Sequence, residues 1–354
     1  MQVNQVTLDE SRESLLALLR TKGLSIKYMD EEKKGELRQF LVLLHNDKGM
    51  SLNDVAKLIG NKTSGYTSWL FRQLGVKCRP FEEARLRGIR EKRRKYERKP
   101  FDGSDEDRAY LLGLRHGDLS VSRPWKDVVR VSTSTTHPAM SELFHSLFDP
   151  YGHVYQHPRY KKDTKSYEWN LQVIVDNTFD FLLEDRDAVW KWVAERESTL
   201  LAYLAGFLDA EGTISINAAR LLISMDVAYY NTNVELITFV FHSLKGLGFR
   251  PSPPYLDKKR GFVTPGYHIE MKRDYWRVVL SRFEECKRLL GRLPIKHREK
   301  VQKRTLALGL ALGQSWIEVG PRVQGLRMTI KASRDAFVAE AQRVYLANPR
   351  HQMP

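Results

Sequence analysis

Two segments of this chain are near-copies of one another, and each runs into a carboxylate. Ala109-Tyr110-Leu111-Leu112-Gly113 leads to Asp118, and Ala202-Tyr203-Leu204-Ala205-Gly206 leads to Glu211. A glycine inside a helix costs roughly 1 kcal/mol relative to alanine. It is kept where two backbones must approach more closely than a Cβ allows. Two such helices side by side bring their C-terminal ends together, with Asp118 next to Glu211. Two acids forced together in a basic protein suit the holding of divalent cations against phosphate.

The second copy, Leu204-Ala205-Gly206-Phe207-Leu208-Asp209-Ala210-Glu211-Gly212, resembles the LAGLIDADG motif. The first, ending Arg115-His116-Gly117-Asp118-Leu119, keeps the final acid but lacks the earlier Asp and the closing Gly. Two copies in tandem make the chain similar, over about residues 104–300, to the monomeric, two-motif LAGLIDADG homing endonucleases. The resemblance implies Asp118 and Glu211 as metal ligands, with the backbone carbonyls of Gly117 and Ala210 completing the coordination. Each acid would address one strand across the minor groove of double-stranded DNA. Oxygen donors with retained waters suit Mg²⁺ (or Mn²⁺) rather than zinc. The family also places a basic residue just before the last helix. Leu293-Pro294-Ile295-Lys296-His297-Arg298-Glu299-Lys300 resembles that segment, with Lys296 in the position. In the first copy, Phe181-Leu182-Leu183-Glu184-Asp185 offers acids instead, so the two strands are expected to be cut at different rates.

Composition agrees with a polyanionic partner. The 354 residues carry a net charge of +15, and 42% are hydrophobic, enough to bury real cores. Cys78 and Cys286 are far apart and lack metal-ligand spacing, which points to a reducing compartment. His116, His153 and His157 have no Cys/His companions of zinc type. No apolar run approaches the ~18 residues of a membrane span. Residues 1–5 lack the charged start and apolar stretch of a secretory leader. The expected setting is intracellular, cytoplasmic or nucleoid-associated, with an organelle as the alternative.

Five parts are expected. Residues 1–80 read as a helical, helix-turn-helix-like DNA-binding domain, with amphipathic helices at 7–20 and 31–46. Ser51 would cap a helix, and Gly60-Asn61 would turn the chain into a second helix with Trp69, Leu70 and Leu74 inward. Lys62, Thr63, Ser64, Tyr66, Thr67 and Arg72 would then face a major groove or its phosphates. Residues 81–103 form a basic linker, with nine Lys or Arg between 85 and 99 that include Arg93 and Arg94. Residues 104–197 and 198–301 read as the two repeats, and 302–354 as a C-terminal helical cap.

Each repeat reads α-β-β-α-β-β-α, which makes the fold class α+β: two antiparallel sheets forming a DNA-binding saddle behind a small all-α domain. Expected strands are 119–122, 127–134, 153–160 and 166–175 in repeat one, and 213–217, 221–229, 249–257 and 262–272 in repeat two. Helices are expected at 138–148 and 178–195, then at 233–245 and 274–290. Alternation puts Arg130, Ser132, Ser134, Asn170, Gln172, Ser215, Asn217, His268, Glu270 and Lys272 on the faces away from the helices. These are donors and acceptors of the kind that read base edges. A strand of about ten residues spans roughly 33 Å, close to one turn of B-DNA.

The leading reading is therefore a monomeric, metal-dependent DNA endonuclease of the homing type, making a double-strand break in a long target. An RNA maturase that binds intron RNA and a cleavage-inactive DNA-binding regulator are the alternatives.

Overall fold

The computed structural model describes residues 13, 17, 19, 26, 29–60, 63–79, 96–162, 164–219, 221–264 and 270–348. The chain divides into two compact units, residues 1–95 and 96–354. Nearly all of the helix expected at 7–20, together with Lys62, Arg93, Arg94 and His268, lies outside the described residues.

In the first unit, α1 (Glu31–Val42) starts at Asp30, whose carboxylate accepts from the Lys33 backbone N–H at 2.8 Å. A wider turn, Leu43–Asp47, continues it. Ser51 and Asp54 form a reciprocal capping box for α2 (Leu52–Leu58). Gly60, at φ +81°, lets the chain turn towards α3 (Ser64–Gln73). Leu37, Phe40, Leu41, Leu44, Val55, Ile59, Leu70 and Phe71 form the core. Two expectations are corrected here. Trp69 is 42% exposed rather than inward, and Thr67 is fully buried rather than open to a ligand. The apolar stripe of α3 is Thr67, Leu70, Phe71 and Leu74, the i, i+3, i+4, i+7 row; Trp69 sits off its side.

The second unit is α+β and built twice. Repeat one has α4 (Asp105–Gly117), β1 (Ser120–Trp125), β2 (Val128–Thr135), α5 (Pro138–Phe148), β3 (Tyr155–Lys161), β4 (Ser166–Asp176) and α6 (Arg186–Ala194). Repeat two has α7 (Glu197–Glu211), β5 (Gly212–Ala219), β6 (Leu222–Asn231), α8 (Val234–Gly246), β7 (Tyr255–Lys258), β8 (Tyr275–Leu280) and α9 (Phe283–Arg292). The sheets are fully antiparallel and equivalent in order, β1-β2-β4-β3 and β5-β6-β8-β7.

Strand alternation buries Val129, Val131, Leu171, Val173 and Val175 in repeat one. It buries Ile214, Ile216, Met225, Val227, Val278 and Leu280 in repeat two. These side chains join α4, α7 and the flanking helices in one apolar core.

Repeat two departs from expectation after β7. The last strand is Tyr275–Leu280, not 262–272, and the helix after it begins at Phe283. Tyr275-Trp276-Arg277-Val278-Val279-Leu280 is the run rich in β-branched and aromatic residues. The earlier stretch is preceded by Gly261 at φ +86°, and its described residues make only an isolated bridge, Val263 to Glu270. Glu270 and Lys272 therefore precede the sheet instead of lining it. In repeat one the expected closing helix is split into a 3₁₀ turn, Asn177–Leu183, and α6. Asp185 breaks the run by capping α6 through the Asp187 N–H.

Two more helices follow, α10 (Arg298–Leu308) and α11 (Trp316–Ala347). The 32-residue α11 touches strands of both sheets. Its Phe337 carbonyl accepts from Trp169 Nε1 at 3.0 Å in repeat one, and Arg327 donates to the Ile216 carbonyl at 2.8 Å in repeat two.

Candidate catalytic centre

The two copied helices, α4 and α7, pack against each other along their length. A Cβ on Gly113 would collide with the Tyr203 carbonyl, and one on Gly206 would collide with the Tyr110 carbonyl. The two glycines thus do the same task at equivalent positions, letting backbone meet backbone. At the bottom of the pair, a Cβ on Gly117 would collide with Ala210 Cβ and stand 2.9 Å from Glu211 Cγ. The helix ends touch, and this contact brings Asp118 and Glu211 together.

Asp118 caps α4 with one side open to solvent. Protein crowding on its other side raises its carboxyl above the usual range, against the pull of Lys300 and His137. Glu211, the last residue of α7, is pushed up to about 7 by burial and by the neighbouring Asp118 charge. The Tyr275 phenol reaches Glu211 Oε2 at 3.4 Å.

The ammonium whose charge bears on both acids is that of Lys300. Lys300 Nζ donates to the carbonyls of Leu208 at 2.5 Å and Asp209 at 2.6 Å, capping the C-terminal end of α7. Burial lowers it to about 8, while Asp209, Asp118 and Glu211 pull in the opposite direction. Lys296 points elsewhere. Its Nζ donates to Asp107 at 2.9 Å, near the start of α4, and lies 4.7 Å from the Tyr110 ring centroid. The reason is Asp209, which accepts from the backbone N–H of Lys296 at 2.7 Å and of His297 at 3.0 Å. This pins the segment ahead of α10, so a residue in the first turn of α10 meets the acids. Sequence reading held the signal, since Lys300 stands four residues further on in the same basic segment.

Repeat one differs. His116 occupies the position equivalent to Asp209, and its Nδ1 pairs with Tyr203 Oη at 2.7 Å. The Trp190 indole donates to that phenol at 3.2 Å. Burial, together with Arg115 and Arg186, holds His116 down to about 4, a neutral imidazole. His137, at the start of α5, pairs with Glu299 at 3.3 Å, and Glu299 directly precedes Lys300.

Each open sheet face begins at an acid, because β1 follows Asp118 and β5 follows Glu211. In repeat one the cross-strand pairs Ser132 with Gln172 and Ser134 with Asn170 align the expected residues, and Arg130 stands opposite Ile174. Ser120, Ser122, Tyr155 and His157 share this face. In repeat two Ser215 stands opposite Asp226 and Asn217 opposite Ser224. Asn217 also accepts from Arg327 at 2.7 Å. Tyr230, Tyr255, Tyr275 and Arg277 complete the face, and the misplaced last strand hid the latter two from sequence reading. In the first unit, Thr63 and Arg72 are exposed and Ser64 and Tyr66 half-buried.

The donors at the helix ends are all oxygens: two carboxylates and, by the rule for C-terminal turns, backbone carbonyls without intrahelical partners. This set fits a hard divalent cation. Among the described residues no group of three or more His, Cys, Asp or Glu gathers as a metal cluster. No described helix is long and apolar enough to cross a membrane.

Solved structures similar to this chain include the homing endonuclease I-DmoI in complex with DNA and Ca, at 18% identity over 53% of this chain and 88% of that one, TM-score 0.36. The homing endonuclease I-WcaI bound to its DNA recognition sequence matches at 12% identity over 56% and 86%, TM-score 0.39. Full-length DUF199/WhiA from Thermatoga maritima matches at 11% identity over 67% and 70%, TM-score 0.40. No protein-family model and no curated protein matches the sequence. Likeness at this level leaves the reading of the centre to its own side chains.

Proposed function

We propose that the chain is a site-specific DNA endonuclease of the LAGLIDADG homing type, hydrolysing phosphodiesters with a divalent metal. The observation that carries this reading is the acid pair, Asp118 and Glu211, held together at touching helix ends with the Lys300 ammonium beside them. Burial, and after it the Asp118 charge, raises the Glu211 carboxyl to about 7. The pair is built for a cation to complete it. A bound Mg²⁺ or Mn²⁺ supplies Lewis-acid charge neutralisation and acidifies water. Asp118 and Glu211 would hold the metal, with the Gly117 and Ala210 carbonyls as further ligands. Lys300 favours hydroxide over water and opposes the negative charge that grows on the phosphate. Tyr275 orients Glu211.

The open faces of the two sheets, with their paired Ser, Asn, Gln and Arg side chains, would lie along the duplex. The net charge of +15 supports phosphate contact throughout. In this reading the first unit is a helix-turn-helix module that adds contacts through Thr63, Ser64, Tyr66 and Arg72, and residues 81–103 are a phosphate-tracking linker. The catalytic body is a monomer, since both acids come from one chain.

The test is incubation of the protein with a plasmid library of randomised targets, with and without Mg²⁺, beside an Asp118→Asn/Glu211→Gln double variant. Metal-dependent linear product that the variant does not form supports the endonuclease. Salt-sensitive duplex binding without cleavage moves the chain to a regulator, and preference for intron RNA moves it to a maturase.

A further inference from the structure

We propose that Arg277 is a specificity-determining residue that reads a guanine within a few base pairs of the acid pair; this rests on the open sheet faces being the DNA surface. Arg277 lies on β8, opposite Tyr230 on β6 and Tyr255 on β7. Its Nε donates to the Tyr255 hydroxyl, and its Nη1 lies 3.1 Å from Asp257 Oδ1. The guanidinium carbon stands 4.8 Å from the Tyr255 ring centroid and 6.0 Å from that of Tyr230. The fork is thereby fixed before any ligand arrives, which removes most of the ordering cost that a flexible side chain meets on binding. A guanidinium has five N–H donors. The two named contacts use two, and the side chain remains 33% exposed on the open face.

Charge decides what the remaining donors suit. Asp257 is paired with Arg277, and Asp226 stands on the same face of β6. A phosphate brought to this guanidinium would meet both carboxylates. The O6 and N7 acceptors of guanine carry no net charge and match the fork bidentately. The same ladder leads to the catalytic centre. Tyr230 stacks on Tyr275 at 5.8 Å and 14°, and Tyr275 reaches Glu211. Tyr275 and Arg277 are two residues apart on one strand, about 6.6 Å, or roughly two base-pair steps at ~3.4 Å each. The base read is therefore close to the bonds that are cut.

The experiment is selection of bound sequences from a randomised duplex library in Ca²⁺, with wild-type protein, R277A, R277K and D257N. Binding is scored and cleavage is not, so the result does not depend on nuclease activity. R277K keeps the charge and the stem but loses the fork, and serves where R277A fails to fold. Expected is a guanine preference in wild type that both Arg277 variants lose at that one position, by about tenfold or more, with other positions unchanged. D257N, which unpins the fork, should relax the same position part-way. Retention of every base preference by both Arg277 variants overturns the proposal. So does weaker binding spread evenly over all sequences with the salt slope reduced by about one, the mark of a phosphate contact. Wild-type protein that binds no duplex overturns the DNA surface itself, a failure distinct from the loss of Arg277 alone.

Discussion

The Tyr110 phenol donates to the Asp209 carboxylate at 2.5 Å across the two copied helices. The equivalent pair, Tyr203 and His116, crosses the other way at 2.7 Å. The repeats therefore share a lock but differ in its acceptor. Only the carboxylate can also take two backbone N–H groups, and Asp209 does so from Lys296 and His297. Tyr110 is fully buried, and burial together with Asp209 drives its phenol far above the usual range. Asp209→Asn should cost about 1–3 kcal/mol, because the three donors that share one carboxylate oxygen lose its charge. Tyr203→Phe should cost less, since the neutral His116 imidazole and the Trp190 indole lose a partner but no charged group does. Denaturant unfolding of both variants checks this, and equal losses would count against the ranking.

Lys300 and Lys296 are expected to differ in their effect on cleavage. Lys300→Met should lower cleavage about a hundredfold or more, on the scale of removing one stabilising group from a transition state. Lys296→Met removes a half-exposed pair with Asp107 and should stay within a few-fold of wild type. Among the described residues, repeat one places no lysine on the end of its motif helix as repeat two does. Nicked circles are therefore expected to build up before linear product, and a plasmid time course reads both effects. Equal strand rates would overturn the asymmetry.

Glu211 predicts a pH effect with a definite sign. Its folded value, about 7, lies above the unfolded 4.5, so the folded state holds the proton more tightly. The stabilising contribution is fully present below pH 4.5 and is lost as pH rises through 7, by at most about 3 kcal/mol. Without divalent metal, Glu211→Gln should raise the Tm relative to wild type above pH 7 and change it little at pH 4.5. Added Ca²⁺ should stabilise wild type at pH 8 but not the variant. A Tm difference that does not vary with pH would remove the argument.

The glycines give a paired test. Gly113→Ala drives a Cβ into the Tyr203 carbonyl, a backbone atom that cannot swing aside. A loss of about 3 kcal/mol or more is expected, the upper range of overpacking. Gly291→Ala in α9 meets nothing within 4 Å. It should stabilise by about 0.5–1 kcal/mol through helix propensity alone. Thermal melts of the two variants should move in opposite directions.

Much of this was legible in the residues. The twin Ala-Tyr-Leu segments, the two glycines and the acids five positions beyond them announce a close helix pair with a shared carboxylate end. The spacing leaves little else for those glycines to do. Alternation in 127–134 and 166–175 likewise predicts the polar row of repeat one, since period two fixes which side chains share a face.

What sequence could not decide was how one element meets another. Trp69 and Leu70 are neighbours in the chain, and only packing against α1 and α2 selects which of them is buried. Glu270 and Lys272 alternate as a strand should, but the hydrogen bonds of β6 go to Tyr275–Leu280 instead. Lys296 and Lys300 lie in one basic run, and a carboxylate far away in sequence, Asp209, determines which of them faces the acids. Local pattern records the preferences of a segment, whereas a catalytic contact depends on the register between segments, and that register is set by long-range hydrogen bonds and core packing.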